Sequence, residues 1–139
     1  MKKSTPNNKV TIIHTCVLVS TDRDLFARYS NFMMAENYIL MCADSLIDAA
    51  ITIMEKKIDI LIVDIDIIGV DSLKMIYIIN QIKPRLPILV ITSDNSIESN
   101  RRLLEHGVQY IELKPINDYN LMNVIRKIHQ IRTKNQPKQ

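Results

Sequence analysis

The chain has 139 residues and a mass of 16.1 kDa, enough for one domain and too short for two ordinary ones. With 47% apolar and 24% charged residues it can bury a core, which excludes wholesale disorder, and the absence of repeats or Gly/Pro-rich tracts excludes collagen-like and solenoid scaffolds. The net charge of +3 belongs to the ends: residues 1–10 and 119–139 carry eight Lys and Arg and no acid, whereas residues 11–118 hold all fifteen Asp and Glu against ten Lys and Arg.

Taken in chain order, residues 1–11 read as a flexible basic extension without the apolar centre of a signal peptide. Residues 15–20 form a short β-branched run, with Ile12 and Ile13 upstream, and lead into Ser20-Thr21-Asp22. Residues 24–35 then carry Leu25, Phe26, Tyr29, Phe32 and Met33 at helical spacing. A second strand is predicted over 38–43. A helix over 45–56 follows, with Ser45 as its N-cap and Leu46, Ala49, Ala50, Ile53 and Met54 on it. The third strand, 58–64, contains Ile60-Leu61-Ile62-Val63 and ends in Asp64, with Asp66 two residues on. A helix over 71–83 carries Leu73, Ile76, Tyr77, Ile79 and Ile82. The fourth strand, 87–92, ends in Thr92-Ser93, and a helix over 96–106 stops at Gly107. The fifth strand, 110–113, runs into Lys114-Pro115, and a helix over 117–131 closes the domain. Residues 132–139 read as a polar basic tail or the start of a linker.

This alternation is (βα)5. The unbroken apolar runs of the third and fourth strands need cover on both faces, which means a parallel sheet with helices on either side. In such sheets a ligand site lies beyond the carboxyl ends of the strands. Asp22, Asp64, Asp66, Thr92 and Lys114 all fall there.

Each has an ordinary alternative. Asp22 suits a helix N-cap, Thr92 and Ser93 could simply close a strand, and Lys114 could be a surface lysine before a turn proline. Asp64 is harder to explain away, because a carboxylate after four apolar residues needs a partner or a cation. Together the set suits acyl-phosphate formation, which needs positioning and positive charge more than covalent help. Mg2+ held by hard oxygens of Asp22, Asp64 and a nearby carbonyl would supply that charge, and Lys114 would pair with phosphate oxygens. Thr92 could reach a phosphate oxygen if its loop moved inward, which would couple a local charge to packing.

Other classes are less well served. Cys16 and Cys42 form no C-x-x-C pair and fall in strands expected to be neighbours, so they read as small buried hydrophobes. His14, His106 and His129 have no ligand spacing. No nucleotide loop motif occurs, no run of 18 apolar residues could cross a membrane, and no aromatic interleaves with the basic ends as single-strand nucleic-acid binding would want. The absence of a leader and of paired thiols leads us to expect the cytoplasm.

Over residues 15–131 the chain resembles the receiver domain of two-component response regulators, CheY-like and somewhat atypical. The resemblance rests on Val17-Leu18-Val19-Ser20-Thr21-Asp22, on the run from Asp59 through Asp64 to Asp71, on Pro87-Ile88-Leu89-Val90-Ile91-Thr92-Ser93, and on Gly107 through Lys114-Pro115. It implies a flavodoxin-like three-layer sandwich with sheet order 2-1-3-4-5 and a receiver domain over 12–131. It implies Asp64 as phosphoacceptor, Asp22 and Asp66 as further metal-site acids for Mg2+, Thr92 as switch hydroxyl and Lys114 as phosphate-pairing lysine. The implied phosphodonor is a histidine kinase or phosphotransfer protein. An output partner or second copy would dock on the face of the fourth helix, fifth strand and fifth helix, with Arg101, Arg102, Tyr110, Tyr119 and Arg126 as candidates. Nucleic acid would enter only through a following output domain.

Four positions depart from the family pattern. Thr21 replaces the first of two adjacent acids, and Ile111 replaces the switch aromatic, with Tyr110 one place earlier. Ile68-Gly69 replaces a Pro-Gly, and Asp71-Ser72 an Asp-Gly. The first two suggest an alternative: a degenerate receiver that binds proteins without phosphate. Asp64-Ile65-Asp66 also resembles the nucleophile loop of haloacid-dehalogenase-type phosphatases, but only Asp118 follows Lys114 as a further acid, and no cap would fit.

Overall fold

The computed structural model describes residues 12–68 and 72–135. Five parallel strands form one sheet in the order β2-β1-β3-β4-β5. They are β1 (His14–Val19), β2 (Tyr38–Ala43), β3 (Ile60–Asp64), β4 (Ile88–Thr92) and β5 (Tyr110–Leu113). The helices are α1 (Arg23–Ala35), α2 (Leu46–Glu55), α3 (Ile65–Ile68), α4 (Leu73–Ile82), α5 (Ile97–Glu105) and α6 (Asp118–Asn135). The order and the flavodoxin-like class are those expected.

Alternation along each strand divides the core in two. Val17, Val19, Leu61, Val63, Ile88 and Val90 point to a layer built from α2, α4 and α5, through Ala49, Ile53, Ile76, Ile79 and Leu103. Cys16, Leu18, Ile60, Ile62, Leu89 and Ile91 point the other way, onto Tyr29 and Met33 of α1 and Leu121, Ile125 and Ile128 of α6. Each fully buried aliphatic side chain contributes roughly 1.5–3 kcal/mol over its exposed state, which is why the central strands read as solid apolar runs. Both cysteines are unpaired; Cys16 is buried, and burial drives its thiol pKa far up, with the Asp59 charge adding to the effect.

The helix starts follow local chemistry. Asp22 caps α1 by accepting from the Leu25 amide at 3.1 Å. Ser45 caps α2 through the Asp48 amide at 3.1 Å, and Ser96 caps α5 through the Ser99 amide at 3.2 Å. Gly107, at φ +100°, ends α5 as anticipated, and a Cβ there would run into the Asn80 side chain.

Three local features differ from the sequence reading. A single helical turn, α3, follows β3 directly and lays Ile65 onto the core while holding Asp66 at the sheet edge. The last helix runs past 131 to Asn135, with the Arg132 guanidinium donating to the Asp59 carbonyl and so anchoring the extra turn. Two of the scattered histidines also meet: the His14 and His129 rings stand 4.8 Å apart, beside Tyr38 and with His14 Nδ1 3.6 Å from Asp59. The expected extension 1–11, the segment Gly69-Val70-Asp71, and residues 136–139 of the expected tail lie outside the described residues.

Candidate functional site

The carboxyl ends of β3, β4 and β5 converge on Asp64. Its side chain is 1% exposed, and a carboxylate so placed must be neutralised. The neutralising group is Lys114, delivered by the register of β4 with β5, in which Thr92 faces Leu113 and the lysine follows directly. Its Nζ lies 2.9 Å from Asp64 Oδ1 and 3.2 Å from Oδ2. The same ammonium lies 3.1 Å from Asp66 Oδ2, so one cation sits between two acids. Burial alone would lower the Lys114 pKa, but the two carboxylates outweigh it and hold it above the ordinary lysine value.

Asp66 turns its own side chain into the site, the arrangement that the loss of an acid at Thr21 called for. Its carboxylate accepts from the Ser93 amide at 3.0 and 3.2 Å. Burial pushes the Asp66 pKa up, yet the Ser93 amide and the Lys114 ammonium together hold it below the usual carboxylate value. The Ser93 amide carries no sequence signal, because a backbone donor can belong to any residue. The short α3 turn that aims Asp66 was equally hidden.

Asp22 is not brought to this pair. Its carboxylate is exposed and accepts from the α1 amide, so the helix-cap alternative describes it. The β1–β3 register pairs Val19 with Val63, and one further step sets Ser20 beside Asp64. Ser20 is fully buried, and its hydroxyl accepts from the Asp22 amide at 3.1 Å. Thus the β1 position next to Asp64 is a hydroxyl rather than an acid. Among the described residues no three His, Cys, Asp or Glu side chains form a ready metal cluster.

Thr92 is buried at the end of β4, and its hydroxyl accepts from the Asp94 amide at 3.0 Å, turned toward its own loop. It borders a cavity of about 230 Å3 reaching Asp66, Asp94, Ser99, Arg102 and Leu103. Ile111 packs on the α2–α4–α5 side of the sheet and Tyr110 on the α1–α6 side, so Tyr110 does not replace the missing aromatic beside Thr92. Arg28, unsignalled in the sequence, steadies the loop after Lys114: its guanidinium is 2.7 Å from Asp118 Oδ1 and donates to the Ile116 carbonyl at 3.3 Å. On the expected docking face, Arg101 and Tyr119 are exposed and Tyr110 is half-buried, but Arg126 is turned to α1, with Nε 2.8 Å from Glu36 Oε1.

No helix among the described residues is long and apolar enough to cross a membrane. A model of the response regulator receiver domain family matches residues 16–126. Similar solved structures include a response regulator from Thermotoga maritima, at TM-score 0.77 and 22% identity, covering 86% of this chain and 99% of that one. The chemotaxis response regulator CheY4 of Vibrio cholerae aligns at TM-score 0.76 and 16% identity, over 84% and 99%. The beryllofluoride-activated NtrC4 receiver domain dimer aligns at TM-score 0.76 and 19% identity, over 84% and 96%. No curated protein matches the sequence. The structural likenesses speak for the fold, and the family match extends over most of the chain, including Asp64 and Lys114: the chain belongs to the response regulator receiver domain family.

Proposed function

We propose that this chain is a signalling switch that accepts a phosphoryl group on Asp64 from a phosphohistidine of a kinase or phosphotransfer protein, as a receiver domain over 12–131 acting in the cytoplasm. The observation that carries the reading is the buried Asp64 carboxylate held at 2.9 Å by Lys114. In the transfer an Asp64 oxygen bonds to phosphorus as the P–N bond to the donor imidazole breaks, and that imidazole keeps the electron pair and later takes a proton from water. Lys114 keeps Asp64 ionised and in place as nucleophile, then pairs with the phosphoryl oxygens. Thr92, released from the Asp94 amide, turns its hydroxyl to one of those oxygens, and the cavity beneath it receives the loop movement.

The donor set fits Mg2+, which is commonly held by one or two carboxylates with water completing its shell; Asp64 and Asp66 would hold it, with Asp22 at the rim. When bound, the ion supplies positive charge against the transferring group. The part we assign to this chain is non-enzymatic, beyond self-phosphorylation and self-dephosphorylation. The family assignment sets aside the phosphatase likeness of Asp64-Ile65-Asp66.

A second reading, a receiver that binds partners without phosphate, is favoured by one observation: Asp22 is spent on capping α1 while Ser20 stands beside Asp64. One experiment separates the two. The chain is treated with acetyl phosphate and Mg2+ and weighed by mass spectrometry, with Asp64→Asn as control. A single phosphate on the wild type alone supports transfer to Asp64. An unchanged mass, together with no shift in amide spectra on adding beryllofluoride, sinks it and leaves the second reading.

A further inference from the structure

The outer surface of α2 carries apolar residues where a solvated helix would not. Leu46, Ala49, Ala50 and Ile53 face the core, as they should. Ile47, Ile51 and Met54 then form a second stripe, at 63%, 49% and 65% exposure. A helix apolar on nearly all sides is normally covered on all sides. The neighbouring α4 repeats the pattern with exposed Ile78 and Ile82.

The two stripes adjoin. On α4, Tyr77 meets His106 at the end of α5, so Ile82, on the opposite flank, lies toward α2. The helices run the same way across the sheet, and the same helical geometry places Ile47 and Met54 on the flank of α2 toward α4. The polar flank of α2, with Asp48, Thr52 and Glu55, lies on the other side, toward the β2 edge.

We propose that this α2–α4 face joins two copies of the chain about a two-fold axis near Ile51, with the α2 helices antiparallel. Two features on the page favour a second copy over another occupant. The first is area: covering these five side chains removes on the order of 500 Å2 per copy, more than scattered exposure gives and most of the ~800 Å2 per partner of a standard interface, before their neighbours are counted. The second is charge. The start of α2 is acidic, with Asp44 and Asp48, and its end is basic, with exposed Lys56 and Lys57 and only Glu55 opposing them. An antiparallel pairing sets each acidic end against the other copy's basic end, which is the self-complementarity a two-fold contact requires. This face is separate from the α5–β5–α6 face and does not depend on phosphorylation of Asp64.

The test is sedimentation velocity on the full chain over a wide concentration range. The wild type is expected to form a concentration-dependent dimer. Ile51→Lys, a surface change, should raise the dissociation constant at least tenfold with unchanged circular dichroism and melting temperature, and Ile78→Lys should do the same should Ile51→Lys fold poorly. Asp48→Lys should weaken the dimer, and adding Lys56→Glu and Lys57→Glu to it should restore association. A wild type that stays monomeric throughout overturns the proposal. So does a dimer that survives both lysine variants, or one dissolved by Tyr119→Glu on the α5–β5–α6 face instead.

Discussion

Lys114 does two jobs with one charge, and removing it exposes both. Without the ammonium, Asp64 is left buried and unpaired while Asp66 faces it as a like charge. We expect Lys114→Ala to lower unfolding free energy by about 2–4 kcal/mol, read from urea denaturation at neutral pH. Asp64→Asn should change it by no more than about 1 kcal/mol, because Lys114 keeps Asp66 and the amide keeps a hydrogen bond. The pH profile follows from the same contacts. Asp66 has a lower pKa folded than unfolded, so its contribution is complete above the unfolded carboxylate value, about 3.9, and fades as pH falls through the folded one. Lys114 has a higher pKa folded, so its contribution is complete below about 10.4 and fades as pH rises through the folded value. Melting temperature against pH should therefore show an acid limb that becomes shallower in Asp66→Asn. At this scale the sequence made Asp64 and Lys114 legible, since a charge that ends a buried strand must be answered. It could not show that Asp22 is used locally, because an acid before a helix serves a cap or a site equally well until the turn is seen.

Caps decide where the elements begin, and they offer a clean way to ask what Asp22 is for. Asp22→Ala should cost about 1 kcal/mol, and Asp22→Ser only a few tenths, because serine caps as well as aspartate. A residue that serves only as a cap will leave Mg2+-dependent phosphorylation the same in Asp22→Ser as in the wild type, measured as initial rate against Mg2+ concentration. Gly107→Ala should cost about 2 kcal/mol by thermal or urea unfolding, since alanine resists φ +100° and its Cβ meets Asn80. Serine caps and a glycine stop are local chemistry, so 45–56 and 96–107 were readable to within a residue or two. The α3 turn was not: Ile-Asp-Ile-Ile has no helical propensity to announce it, and it exists because Ile65 finds the core. The extension of α6 to Asn135 likewise rests on Arg132 reaching Asp59, a contact across 73 residues that no local pattern encodes.

The sheet order follows from alternation, handedness and the burial of β3 and β4 on both faces, so the architecture was almost wholly legible. The same two-sided burial hides tertiary pairs such as His14 with His129, which looked scattered until β1 and α6 were laid side by side. That contact has a practical consequence. The strand that begins at His14 and the helix that ends at Asn135 meet at the pole of the sheet opposite Asp64. The exposed Lys83-Pro84-Arg85 turn lies at that pole too, close to Arg132. A circular permutant that stitches the old ends together there and reopens at this turn would leave every strand tip around the acid and the amine untouched. Its capacity to take up beryllofluoride should match that of the parent, so reporters can be wired into this molecule from below without disturbing the chemistry above.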